Sequence, residues 1–364
     1  MRTARDIVKK NNWWLLVKCL FDQPPPLKQG ARSIWEEAMK FLLAVAFLAS
    51  PFFVSAKQCE SNYPAAALSQ GTKQNIHPGV NFVEPPYAGF DPCNGSVDIK
   101  LNEKSDTFVV VLHGGGGLDA PTNGIGNQFQ KAGFSVLMFD AFKMNKISRD
   151  GVFWASSVHA GSTGRMIYFS GLASLKWLER NHPERSKRII VYGLSTGGTA
   201  AAHLAATDGL ERLQMVFAEG PNNAGIGLPD QLMKPVHVFY GALDNFGGST
   251  AEEFLWKRRS NCLWNSPIYN MPASNTAKCN YLTWARGDRS QTVEEWVDEQ
   301  KTKKADITFK LIDNASHGIF NGRDINSSVR ATPSGIKLYW TTGAKPGVAD
   351  QLFADLLLLI NAGK

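Results

Sequence analysis

The stretch VYGLSTGGTA, residues 191–200, sets one hydroxyl, that of Ser195, among glycines at 193, 197 and 198. Gly193-Leu194-Ser195-Thr196-Gly197 is a G-x-S-x-G pattern. A beta-branched run, RIIVYG, leads in, and the small-residue run TAAAHLAA leads out. That placement predicts a sharp strand-to-helix turn with the hydroxyl at its tip, where a serine can attack a carbonyl carbon. The N–H groups at the start of the following helix favour the negative charge that develops in such a reaction. A serine capping a helix at a glycine-bounded turn shares the five-residue pattern. The flanking strand and helix favour the nucleophile.

Serine is a poor nucleophile at neutral pH and needs a base, which in turn needs a carboxylate to hold its tautomer and stabilise its charged form. Asp244, in GALDNF, and His317, in DNASHGIF, each follow a separate predicted strand. Asp313 is the second choice of acid, but only four positions before His317 it needs a tight local bend. The other histidines fit less well: His77 and His182 adjoin prolines, and His159 lies in a polar loop able to line a cleft. His203 falls in the helix after Ser195, His237 inside a strand, and His113 at a strand's very end, where a structural role is expected. His113-Gly114-Gly115-Gly116-Gly117 closes the strand FVVVL. Its glycines let backbone approach a substrate and supply a second N–H donor for an oxyanion. A phosphate loop fits poorly, because no Gly-Lys-Ser/Thr follows.

The elements that must position these groups alternate. DTFVVVL, FSVLMFD, KRIIVYG, LQMVFAEG, PVHVFYGALD and DITFKLID read as strands. NGIGNQFQKAG, residues 162–181, STGGTAAAHLAATDG and VADQLFADLLLLINAG read as helices. This alternation predicts an α/β fold, a mostly parallel sheet with helices on both faces, and functional groups at the carboxyl ends of the strands. Residues 57–105 read as irregular or edge structure. Residues 246–304 break the rhythm as an excursion holding Cys262 and Cys279.

Residues 39–56, MKFLLAVAFLASPFFVSA, have the layout of a secretory signal peptide: a lysine, an apolar run, and small residues before a cleavage point. The uncharged part is about 24 Å long as a helix, short of a ~30 Å hydrocarbon core. The 38 preceding residues show no clear pattern, and Met39 is expected to be the true start. Sequencing the mature N-terminus checks this; any residue other than about Lys57 counts against it. Residues 57–364 then form the folded domain, secreted or periplasmic and with no stable membrane anchor. Residues 1–56 hold eight Lys/Arg and four Asp/Glu, so the 39 basic and 32 acidic residues of the whole fall to 31 and 28. The net charge drops from +7 to +3 with no basic stripe, which removes the case for nucleic acid as a partner. Four of the five cysteines remain, Cys59, Cys93, Cys262 and Cys279. An even count after a secretion signal predicts two disulfides. The sequence-local pairing, Cys59–Cys93 and Cys262–Cys279, is favoured among three connectivities. No metal-ligand spacing is present, so neither metal nor cofactor is expected. Three Asn-x-Ser sequons begin at Asn94, Asn314 and Asn326.

FVVVLHGGGG, GFSVLMFDAF, RIIVYGLSTGG, VFYGALDNF and DNASHGIF, in that order, resemble the dienelactone hydrolase-like branch of the alpha/beta-hydrolases over roughly residues 105–325. The resemblance implies an eight-stranded, mostly parallel sheet and hydrolysis of an ester or lactone through an acyl-enzyme. It implies Ser195 as nucleophile, Asp244 as acid and His317 as base, with the N–H groups of Thr196 and Gly115 as oxyanion donors. It also matches Arg165 to an arginine at the start of the helix before the elbow strand. Two features depart from it. Dienelactone hydrolases proper use cysteine where this chain has Ser195. The 246–304 excursion carries Trp256, Trp264, Tyr269, Tyr281 and Trp284, which either wall a substrate pocket or form a small satellite core. The expected protein is a serine hydrolase of small-molecule carboxylic esters or lactones. A peptidase or amidase of the same fold and a secreted binding protein with a vestigial triad are the alternatives.

Overall fold

The computed structural model describes residues 62–64, 89–147, 157–221, 226–244, 293–331 and 337–363. The chain divides into two units, Met1–Gln58 and Cys59–Lys364, and every described residue lies in the second. The extension at 1–38 and the signal segment at 39–56 therefore lie outside the described residues.

Seven strands form one sheet: β1 Val97–Lys100, β2 Thr107–Leu112, β3 Ser135–Phe139, β4 Arg188–Leu194, β5 Leu213–Glu219, β6 Val236–Gly241 and β7 Ile307–Ile312. Their spatial order is β1-β3-β2-β4-β5-β6-β7. Only β1 runs antiparallel to its neighbour. Among the described residues the sheet is one strand short of the eight that the resemblance implies. Upstream of β1 the described residues offer one bridge, Tyr63 to Phe90, where each backbone N–H meets the other's carbonyl.

Helices cover both faces because the buried strands are apolar on both sides. In β2, Phe108, Val110 and Leu112 point into one core and Val109 and Val111 into the other. The first core is closed by α3 Ser157–Asn181, α4 Thr196–Ala205 and α5 Val293–Thr302, with the single turn α2 Ala141–Met144 beside them. The second is closed by α1 Ala120–Lys131 and α6 Val348–Ala362, through Ile125, Phe129, Leu352, Leu356 and Ile360. Each such fully buried large apolar side chain contributes about 1.5–3 kcal/mol. A separate hairpin pairs β8 Asn326–Ala331 with β9 Lys337–Thr342, an element the sequence reading lacks.

Helix α5 falls inside the stretch read as an excursion. It is the crossover between β6 and β7, with Trp296 fully buried and its indole N–H donating to the Pro229 carbonyl at 2.8 Å. The α/β rhythm therefore resumes by Val293 rather than after residue 304. Residues 245–292, with Cys262, Cys279 and the five aromatic residues named above, lie outside the described residues, as does Cys59. Cys93 is disulfide-bonded. No helix among the described residues is long and apolar enough to cross a membrane.

Candidate active site

Ser195 stands between β4 and α4 with φ 56° and ψ −119°, a conformation that costs a non-glycine residue about 1–3 kcal/mol. The neighbouring glycines show why the turn holds. A methyl group on Gly193 would strike the Gly197 carbonyl and come within 2.8 Å of the Ala201 side chain. One on Gly197 would strike the carbonyls of Leu112 and His113. The elbow is thus wedged between the end of β2 and the first turn of α4, and only bare backbone fits. The Ser195 N–H donates to the Glu219 carbonyl at 2.7 Å, tying the elbow to the end of β5.

The glycine loop after β2 lies directly against this turn. A methyl group on Gly114 would stand 3.2 Å from the Ser195 side chain. His113 fixes the loop from beneath. Its Nε2 accepts the Ala141 N–H at 2.8 Å, so the ring proton sits on Nδ1 and donates to the Gly114 carbonyl at 2.6 Å. Burial pushes the His113 pKa down, which keeps the ring neutral as both contacts require. Gly115 lies inside the Gly114–Gly117 turn, closed by the Gly117 N–H on the Gly114 carbonyl at 3.2 Å. Thr196 opens α4, where an N–H has no carbonyl one turn earlier to receive it.

Asp244 and His317 meet at the ends of β6 and β7. His317 Nδ1 lies 2.8 Å from Asp244 Oδ2, both side chains nearly buried. Burial alone lowers the imidazole pKa, but the charge and hydrogen bond of Asp244, with Glu219 and Asp119 adding to them, outweigh it. His317 therefore sits above the ordinary imidazole value of 6.5. Asp313, the second choice of acid, is exposed and does not hold that nitrogen.

Backbone bonds lock the two loops together. The Leu243 N–H donates to the Ala315 carbonyl at 2.8 Å, and Ala242 N–H to Ile312 at 2.8 Å. The Ser316 hydroxyl lies between the carbonyls of Leu243 and Thr341, at 2.9 and 2.8 Å. Ser316 N–H donates to Gly343, and Gly343 N–H to the His317 carbonyl, so the end of β9 braces the imidazole loop. Gly241 allows this approach, since a methyl group there would lie 2.5 Å from Ser316 backbone.

Glu219 and Gly220 link the two halves. Gly220 follows Glu219, which holds the Ser195 N–H, and a methyl group on Gly220 would lie 3.5 Å from both His317 Nδ1 and Asp244 Oδ2. The structure thus gathers Ser195, Thr196, Gly114, Asp244 and His317 at one sheet edge. His203 is buried, its Nε2 near the Gly227 carbonyl at 3.0 Å, and His237 stacks on Phe217. Both belong to packing, as their places in a helix and a strand predict. Missing from the sequence reading are Glu219, a buried carboxyl behind the pair, and its partner Tyr192. An acid closing an apolar strand is the signal that marks Glu219 out. Among the described residues no three metal-ligating side chains stand together.

A mostly parallel sheet with a serine elbow after one central strand and an aspartate–histidine pair after two later ones is the arrangement of the alpha/beta-hydrolase fold. Residues 99–261 match the model of the dienelactone hydrolase family, the resemblance that the motifs imply. Solved structures similar to it include a dienelactone hydrolase from Anabaena variabilis, 17% identical with TM-score 0.41, the match covering 61% of this chain and 81% of that one. An esterase from Pyrococcus furiosus is 17% identical with TM-score 0.37, covering 66% and 91%. A putative dienelactone hydrolase from Klebsiella pneumoniae is 10% identical with TM-score 0.36, covering 68% and 86%. The search of curated proteins found no match.

Proposed function

We propose that the chain is a serine hydrolase that cleaves carboxylic esters or lactones of small molecules through an acyl-enzyme. The observation that carries this reading is the His317–Asp244 hydrogen bond at 2.8 Å, linked to a strained serine elbow through Glu219 and Gly220. In the proposed reaction His317 takes the Ser195 proton through Nε2, since Nδ1 is engaged by Asp244. Ser195 Oγ attacks the ester carbonyl, and the oxyanion forms beside the N–H groups of Thr196 and Gly115. The protonated imidazole, stabilised by Asp244, gives its proton to the departing alcohol oxygen. Water then repeats the sequence on the acyl-enzyme and releases the acid. The strained backbone at Ser195 fits a residue placed for chemistry rather than for capping. Its side chain makes no capping hydrogen bond to α4.

The proposal includes export by the signal segment at 39–56 and pairing of Cys93 with Cys59. The test of the chemistry is Ser195→Ala assayed on short-chain nitrophenyl esters. Turnover is expected to vanish while the circular dichroism spectrum stays unchanged. Wild-type turnover in that variant removes Ser195 from the mechanism.

A further inference from the structure

Glu219 ends β5 only 3% exposed, and the reaction above uses neither of its carboxyl oxygens. Its contacts reach three separate parts of the site. Its main-chain carbonyl accepts the Ser195 N–H at 2.7 Å. The Tyr192 hydroxyl, three residues before Ser195 on β4, donates to Oε2. The Ile319 N–H, two residues beyond His317, donates to Oε1 at 2.7 Å. Both oxygens face donors, the arrangement that an ionised carboxyl calls for. Burial pushes its pKa up, while the Tyr192 and Ile319 hydrogen bonds oppose that rise. A buried carboxylate is costly wherever an apolar side chain of similar size would fit. Here it joins the nucleophile's strand, through Tyr192, to the imidazole's loop, whose Ile319 lies 100 positions beyond Glu219.

We infer that Glu219 is a positioning residue: its main chain holds the Ser195 elbow while its carboxylate holds the His317 loop against that elbow. This rests on the serine-hydrolase reading. Asp244 takes His317 Nδ1 directly, so Glu219 does not replace it as the acid. Among the described residues, the charged and titratable groups facing His317 are Asp244 after β6, Glu219 at the end of β5 and Asp119 before α1. Those facing Glu219 are Tyr192, His317 and Asp244.

Glu219→Gln and Glu219→Ala separate clamp from charge. Glutamine keeps an acceptor for Ile319 and can donate to the Tyr192 oxygen, so the loop stays held while the charge is lost. Its kcat is expected to remain near wild type, with the acid limb of kcat/KM moved to lower pH. Alanine releases the loop, and kcat is expected to fall about 10²-fold with KM little changed, as for a misaligned reacting pair. Folded variants that both keep wild-type kcat and the wild-type acid limb overturn the inference. The His317 imidazole is also titrated by NMR in Ser195→Ala, with and without Glu219→Gln, which needs no turnover and no folded alanine variant. A lower titration midpoint in the double variant supports the inference, and an unmoved midpoint overturns it. Ser195→Ala that still hydrolyses ester sinks the serine reading itself, whereas an inactive Ser195→Ala beside unaffected Glu219 variants sinks this inference alone.

Discussion

What we propose as the nucleophile half of the site is held by close approach of bare backbone, the proposed acid–base half by hydrogen bonds between loops far apart in sequence. At Ser195, glycines at 193 and 197 let the end of β2 and the first turn of α4 meet where any side chain would collide. At His317, the imidazole is held by Asp244, by the hairpin end at Gly343 and by the Ser316 hydroxyl between two carbonyls. The first half tolerates no added atom. The second tolerates no lost polar partner. Steric and polar substitutions should therefore damage the two halves differently.

The sharpest break of that comparison is Asp244→Asn. It keeps the shape but removes the charge that holds the imidazole, and kcat is expected to fall about 10⁴-fold with the fold intact. The pH profile sharpens it. As the proposed base, His317 must be neutral to act, and its pKa is raised above the ordinary 6.5, so wild-type kcat/KM should decline with falling pH from above that value. Removing Asp244 takes away the strongest influence that raises this pKa, so the residual activity of Asp244→Asn should persist to lower pH. A wild-type acid limb in that variant contradicts the assignment. Gly197→Ala comes next. Its methyl group meets two carbonyls, and forced backbone shifts of this kind cost about 1–3 kcal/mol. A lower denaturant midpoint and about 10²-fold lower activity are expected, because the elbow itself moves. Ser316→Ala loses only a polar brace, so about 1–3 kcal/mol of stability should go while the acid limb of kcat/KM stays in place. The smallest loss of stability is expected at the cap of α1, beside the imidazole half. Asp119 caps α1 by accepting from the Thr122 N–H at 3.3 Å and hydroxyl at 2.7 Å, and Asp119→Ala should cost about 1 kcal/mol. Equal losses from Gly197→Ala and Asp119→Ala in thermal denaturation would mean that the elbow is no tighter than an ordinary helix cap.

The same contrast explains what was legible in the sequence. The nucleophile half is local: a strand, a glycine-flanked serine and a small-residue helix are contiguous, so the motif from Gly193 to Gly197 carries its own geometry. The acid–base half is assembled over 73 positions between Asp244 and His317. Chain order and strand ends pointed to both residues, but nothing in the sequence showed what braces them. The β8–β9 hairpin that supports His317 was missed because NSSVRA and KLYWTT lack a clean alternation of apolar and polar residues. Helix α5 was hidden within a longer irregular stretch, although Val293, Trp296, Val297 and Gln300 fall at helical spacing on its buried face. Glu219 was overlooked because its two carboxyl partners, Tyr192 and Ile319, lie 27 and 100 positions away.

The most direct measurement is mass spectrometry of the purified protein after reaction with a fluorophosphonate probe, beside the His317→Ala variant. The account predicts one covalent adduct, on the peptide bearing Ser195, in the wild type, and its loss in the variant. An adduct on a different residue, or equal labelling of Ser195 without the imidazole, would contradict it.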